Sequence, residues 1–263
     1  MTMLDAAASE QFRRHGYAWL RGFFTEAETS ALRRWTDEIA GWPETPGRWM
    51  RYYERPGGGS GEKMLARVEN FVPYHPGLAA LFSSARLLGT LEDCCGEPVV
   101  LFKDKINFKL AGGAGFAPHQ DAPAYVDFGV EHHLTLMAPV DPFTEVNGCL
   151  EVSRWDSRHE TLPQNPDGTL RDGVMERWAI ERLLAEPGDA IVFDAWVPHR
   201  SGPNRSRAPR RSYYLTFNPA SAGDHRAEYY ARKRECFPPE YEREPGVDYA
   251  ARGRQFNLGN PFD

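Results

Sequence analysis

Phe116-Ala117-Pro118-His119-Gln120-Asp121 follows a glycine-rich segment at 111–115 and precedes Pro123. In an extended strand successive side chains point to opposite faces, so His119 and Asp121 project to one side and can hold a single ion between them. A His-x-Asp tripeptide alone is common by chance. It gains weight from Val197-Pro198-His199-Arg200-Ser201-Gly202, where His199 follows a turn at Pro187-Gly188 and the apolar run Ala190-Ile191-Val192-Phe193. A further turn, Arg207-Ala208-Pro209, leads into Arg210-Arg211. Two imidazoles and one carboxylate leave coordination positions open, a ligand set that suits non-haem Fe(II) with a cosubstrate and O2 on its free side.

Working outward from this stretch, most of the chain reads as strands. Val99-Val100-Leu101-Phe102 is an apolar run, after which Lys103, Lys105, Asn107 and Lys109 alternate with Ile106, Phe108 and Leu110. On a strand entering a metal-binding barrel the lysine face is the interior, and buried ammonium groups there demand an anion. Further strands are expected at 51–54, 65–71, 132–140, 150–152 and 211–218, with an aromatic strand or turn at 16–24. The pair Asn147-Gly148 predicts a tight hairpin turn. Helices are expected at 5–15, at 25–40 behind a Thr25-to-Glu28 capping box, in one piece at 75–94, and at 227–234. His75 reads as a surface residue at a helix end. His132 and His133 face opposite ways in a strand, so at most one points inward, and each reads as structural. The run Gly57-Gly58-Gly59 predicts a mobile loop over the site, and no Gly-Lys-Ser/Thr follows to make it a phosphate loop.

The chain of 263 residues suits one domain over 1–263, with a helical N-terminal part at about 1–95, a barrel core at about 96–220, and a C-terminal helix and tail at 221–263. The net charge of -6, with basic and acidic residues interspersed, carries no nucleic-acid footprint. No apolar run reaches the roughly 20 residues of a bilayer span, and the N-terminus lacks a leader pattern, so a cytoplasmic enzyme without membrane partners is expected, monomeric or homodimeric. Cys94, Cys95, Cys149 and Cys236 match neither a zinc spacing nor a disulfide framework.

The strand Lys103–Lys109, His119-Gln120-Asp121, Asn147-Gly148-Cys149-Leu150, Pro187-Gly188-Asp189 and His199–Ser206 running on to Arg210 together resemble the phytanoyl-CoA dioxygenase family of Fe(II)/2-oxoglutarate oxygenases. The resemblance covers about residues 95–220. It implies a mainly β fold with flanking helices, a double-stranded β-helix (jelly-roll or cupin-like) barrel. It implies His119, Asp121 and His199 as ligands to Fe(II), with 2-oxoglutarate and O2 completing the metal. A guanidinium grips a distal carboxylate better than an ammonium does. The resemblance places Arg210 there, with Ser201, Asn107 and Thr135 also at the cosubstrate; Arg211 is the rival, and alternation admits only one of the two. Asp121 stands where a halogenase of this type would leave a gap, which argues for hydroxylation. The family's usual Pro-Gly-Ser-His run is here Ser153–His159, and His159 keeps the place of its histidine.

For the substrate, Lys103, Lys105, Arg67 and Arg51 are a cationic set, while Glu69, Glu54, Tyr53 and Asn70 could hold an amine. Together they suit a small anionic or zwitterionic molecule and resemble the branch of the family that hydroxylates 2-aminoethylphosphonate beside phosphorus. An amino acid, a betaine or an acyl-CoA is the alternative within the class. Outside it stand a non-catalytic jelly-roll metal protein and a zinc hydrolase, neither of which needs an arginine beyond the second histidine.

Overall fold

A computed structural model describes residues 3–55, 62–156 and 159–259; the glycine run expected to cover the site falls at 56–61, outside them. The strands in chain order are β1 (Tyr17–Leu20), β2 (Met50–Glu54), β3 (Met64–Glu69), β4 (Val99–Lys109), β5 (Phe116–His119), β6 (Leu134–Pro139), β7 (Leu150–Ser153), β8 (Ile180–Leu183), β9 (Ala190–Asp194), β10 (His199–Ser201) and β11 (Arg210–Pro219). They form a seven-stranded antiparallel sheet, β1-β9-β6-β11-β4-β3-β2, and a four-stranded one, β5-β10-β7-β8. This is the expected double-stranded β-helix. The large sheet recruits β1, β2 and β3 from the first 95 residues, so the barrel extends beyond the expected 96–220.

Helices α1 (Ala6–His15), α2 (Glu26–Ala40), α3 (Pro76–Phe82), α4 (Ala85–Cys95) and α5 (Arg226–Cys236) flank the sheets. Leu32, Ile39, Leu78, Leu87 and Leu91 pack with Ile106, Phe108, Leu136 and Leu215 in one buried cluster, each worth about 1.5–3 kcal/mol by its removal from water. The capping box forms as expected: the Glu28 amide donates to Thr25 Oγ1 and the Thr25 amide to Glu28 Oε2. The single helix expected at 75–94 is instead two, because Ser84 caps a new start by accepting from the Leu87 amide. His75 is buried rather than superficial; its Nδ1 accepts from the Leu78 amide and its ring packs edge-on to Trp35. No helix among the described residues is long and apolar enough to cross a membrane.

One face of β4 and its neighbours is polar and turned inward. Lys103, Lys105, Asn107 and Lys109 pair in register with Thr216, Tyr214, Ser212 and Arg210 of β11, while Asn107 and Lys105 pair with Arg67 and Glu69 of β3. Phe102 departs from the alternation: the register slips between Thr216 and Phe217, and Phe102 packs on Tyr125, Phe128 and Tyr229 rather than with Ile106. In the Asn147-Gly148 turn only Gly148 has positive φ (73°), and a Cβ there would meet the Gly202 carbonyl oxygen at 2.0 Å. That close approach requires glycine next to β10.

Candidate active site

His119 ends β5 directly opposite His199, the first residue of β10, and Asp121 follows two residues on. Ligand atoms of the three lie within 4.8 Å of one another, and all three side chains are buried. His119 Nδ1 lies 2.7 Å from the Ala117 carbonyl and His199 Nδ1 2.9 Å from that of Val197. With both Nδ1–H groups donating to backbone, both Nε2 lone pairs are free for an ion. Burial, then the adjacent His199, pushes His119 down to about 3. Burial would raise Asp121, yet Lys103 and His199 hold it well below the usual carboxylate range. The group is therefore two neutral imidazoles and one carboxylate. Gln120, pointing the other way, donates to the Trp196 and Glu160 carbonyls and accepts from the Leu162 amide, which ties the lead-in to His199 to the loop after β7.

Arg210 is fully buried beneath Phe143, with Nε and Nη1 making no hydrogen bond and Nη2 3.5 Å from the Tyr214 hydroxyl. No carboxylate among the described residues pairs with it. Beside it the Lys109 ammonium donates to Ser201 Oγ (2.7 Å) and to the Gly202 carbonyl (2.6 Å). Burial and then Arg210 push Lys109 down to about 6. A buried guanidinium with unused donors is costly without a partner, and a dicarboxylate reaching from the triad fits it and would draw a proton onto Lys109 beside it. Arg211 faces outward, donating through Nε and Nη2 to Asp141. Asn107 accepts from Arg67 Nε two positions along the sheet from Arg210. Thr135 is not at this end: it pairs with Thr216, six residues along β11 from Arg210, or roughly 20 Å of strand.

A recess next to the triad is lined by Arg67, Glu69, Lys103, Lys105, Tyr125 and Lys233, among others. Neither Lys103 nor Lys105 makes an ion pair within the described residues. Burial, then their mutual repulsion for Lys103, lowers them to about 7 and about 8. Glu69 is already taken: the Lys233 ammonium lies 2.7 Å from both its oxygens and Arg67 Nη1 3.3 Å from one. Burial would raise Glu69, but these two cations bring it to about 2. Three expected residues lie elsewhere. Asn70 leaves β3 with φ 58° and turns its side chain to the Arg48 carbonyl and Arg226. Tyr53 sits past a register slip in β2 and accepts from Arg51 Nε. Arg51 itself caps α2, donating to the Ile39 and Ala40 carbonyls. Sequence reading missed Lys233 and Tyr229, four apart on α5, and Gln255, Phe256 and Leu258, which wall the recess from the tail. The i, i+4 spacing of Tyr229 and Lys233 was the available signal.

The family described as phytanoyl-CoA dioxygenase matches residues 12–212. The chain belongs to the phytanoyl-CoA dioxygenase family. It is accordingly a dioxygenase of the Fe(II)/2-oxoglutarate-dependent class, as the resemblance implied. Among relatives of this family, a 2-aminoethylphosphonate dioxygenase from an uncultured bacterium, HF130_AEPn_1, is 43% identical over 100% of both chains. A methylphosphonate hydroxylase of Gimesia maris is 37% identical over 90% of this chain and 89% of its own. In fold, EctD from S. alaskensis, solved with 2-oxoglutarate and 5-hydroxyectoine, superposes with a TM-score of 0.69 at 20% identity, covering 84% of this chain and 78% of its own.

Proposed function

We propose that this protein hydroxylates a small phosphonate, 2-aminoethylphosphonate first among candidates, at the carbon next to phosphorus. His119, Asp121 and His199 hold Fe(II) in this reading, and Arg210, Lys109 and Ser201 receive the distal carboxylate of 2-oxoglutarate. Iron, 2-oxoglutarate and O2 would together supply the oxidising chemistry, one atom of O2 going into succinate as 2-oxoglutarate loses CO2 and the other into a substrate C–H bond to give the alcohol. The chain binds, orients and excludes water. Lys103 and Lys105 take the phosphonate, Arg67 and Lys233 add positive field, and the Tyr125 hydroxyl, kept protonated by burial, is a further donor. One domain over 1–263 carries the whole site, working in the cytoplasm as a monomer or homodimer.

The observation that carries this reading is the pair of amino groups on β4, buried Lys103 and half-buried Lys105, both without carboxylate ion-pair partners among the described residues at the edge of the triad. Four basic side chains, Arg67, Lys103, Lys105 and Lys233, face only Glu69 and Asp121, so an anion is what holds them in their charged form, whereas an uncharged acyl chain would offer them nothing. The names of the two relatives agree. Glu69 was expected to hold the substrate amine, but with Lys233 on both its oxygens it serves the recess instead. Succinate formation is the test. Aerobic enzyme with Fe(II) and 2-oxoglutarate should release succinate one-to-one with hydroxylated 2-aminoethylphosphonate, and should release far less without it. Equal succinate with and without any phosphonate would remove the substrate reading.

A further inference from the structure

We propose a second metal site in this chain, at His132, His159 and Asp194, taking a divalent transition metal of the zinc class. The three come from separate segments: the lead-in to β6, the loop after β7 and the last residue of β9. Their ligand atoms lie within 4.8 Å of one another. Asp194 Oδ2 stands 3.1 Å from His132 Nε2 and 3.2 Å from His159 Nε2. Metal–ligand bonds of about 2.0 Å in a tetrahedron set neighbouring ligand atoms about 3.3 Å apart, so the two separations from Asp194 already suit a four-coordinate zinc, and the third, between the imidazoles, lies within 4.8 Å.

The surroundings orient each ligand as metal sites do. Asp194 Oδ1 is occupied, accepting from the Trp196 amide at 2.8 Å, so only Oδ2 faces the imidazoles. His132 Nδ1 lies 3.8 Å from Cys95 Sγ, so Nε2 is the ring nitrogen turned toward Asp194 and toward an ion. The His159 ring stacks on Trp196. A recess of about 190 Å3, lined by Phe12, Cys94, Trp155 and Trp196 among others, opens on the cluster and has room for water as fourth ligand. His159 is half exposed, which provides an entry path. Two imidazoles and a carboxylate bind zinc and copper ahead of the lighter divalent ions. An ion here would clamp the loop carrying His159 to the segment from Asp194 to His199, and so would brace one arm of the catalytic triad from behind.

Cobalt distinguishes the two sites without recourse to turnover. The full-length protein, stripped of metal and titrated with Co2+, should bind two equivalents. One should show the intense visible bands of four-coordinate cobalt, the other the weak bands of six-coordinate cobalt. His132→Ala/His159→Ala should lose the intense bands and one equivalent, while Asp121→Ala should keep those bands and lose the other. His159→Ala alone changes a half-exposed side chain and should fold as wild type by circular dichroism, yet weaken the second equivalent at least tenfold. Cys95→Ser should retain both equivalents, which excludes a thiolate ligand. A wild-type stoichiometry of one, or intense bands that survive in His159→Ala and the double variant, would overturn the site.

Discussion

At the scale of single residues, Arg210 carries two opposed costs. Its guanidinium is fully buried with two donors unused, an arrangement that destabilises the ligand-free protein and waits for an anion. Arg210→Met should therefore raise the melting temperature of the ligand-free enzyme while raising the KM for 2-oxoglutarate by about 30–100-fold, the loss of a charge-assisted bond of about 2–3 kcal/mol. Thermal denaturation alongside steady-state kinetics checks both signs; a variant less stable and unchanged in KM would show that Arg210 merely packs. Glu69 gives a pH-dependent counterpart. Its carboxyl is held at about 2 in the fold against an ordinary 4.5, so its stabilising contribution is complete above about pH 4.5 and is lost as pH falls toward 2. Two and a half pH units correspond to about 3 kcal/mol. Lys233, lowered to about 7 by burial, opposes this with a cost that disappears only as pH rises from 7 toward 10.5. Urea midpoints between pH 6 and pH 2.5 should thus fall more steeply in wild type than in Glu69→Gln/Lys233→Met.

Among the elements, β4 shows what was legible in the sequence and what was not. Strict alternation of lysine with apolar residues fixes a polar face, and the structure turns that face inward, where Lys103 and Lys105 flank the triad. If those two hold the phosphonate, Lys103→Gln should raise the substrate KM by at least tenfold while leaving the KM for 2-oxoglutarate within about twofold, because Arg210 lies at the far end of β11. Steady-state kinetics with each ligand varied in turn would reveal equal changes if Lys103 acted only through the fold. The short motifs around His119, Asp121, His199 and Arg210 were readable because period-two geometry and turn residues specify them locally. What failed was local geometry without a strong sequence mark, or contact at long range. Asn70 turns out of the recess because its φ is positive, and Tyr53 because β2 slips register. Ser84 breaks a helix whose apolar stripe runs on unbroken. Lys233, on a helix more than 100 residues beyond β4, reaches Glu69 through tertiary packing that no periodicity records.

For the molecule as a whole, the site is assembled from both sheets: His119 and His199 stand on the four-stranded one, Arg210, Lys103 and Lys105 on the seven-stranded one. In the proposed reading a cosubstrate bound to the triad at one end and to Arg210 at the other would bridge the two layers, and its occupancy would be coupled to the stability of the barrel itself. Anything that binds the folded state alone stabilises it by RT ln(1 + [L]/Kd), about 2.7 kcal/mol at one hundred times Kd. For a domain of this size that is roughly 5–10 °C in melting temperature. Under anaerobic conditions Fe(II) should raise the melting temperature, and 2-oxoglutarate should add a further increment that requires the metal. Each increment should grow with the logarithm of ligand concentration, and a chelator should abolish both. In Arg210→Met the metal increment should persist and the 2-oxoglutarate increment vanish, since the bridge has lost its anchor on the large sheet. If 2-oxoglutarate stabilised metal-free protein as strongly as the Fe(II) form, the diacid would be binding somewhere other than between the triad and Arg210, and the two sheets would not be joined through it.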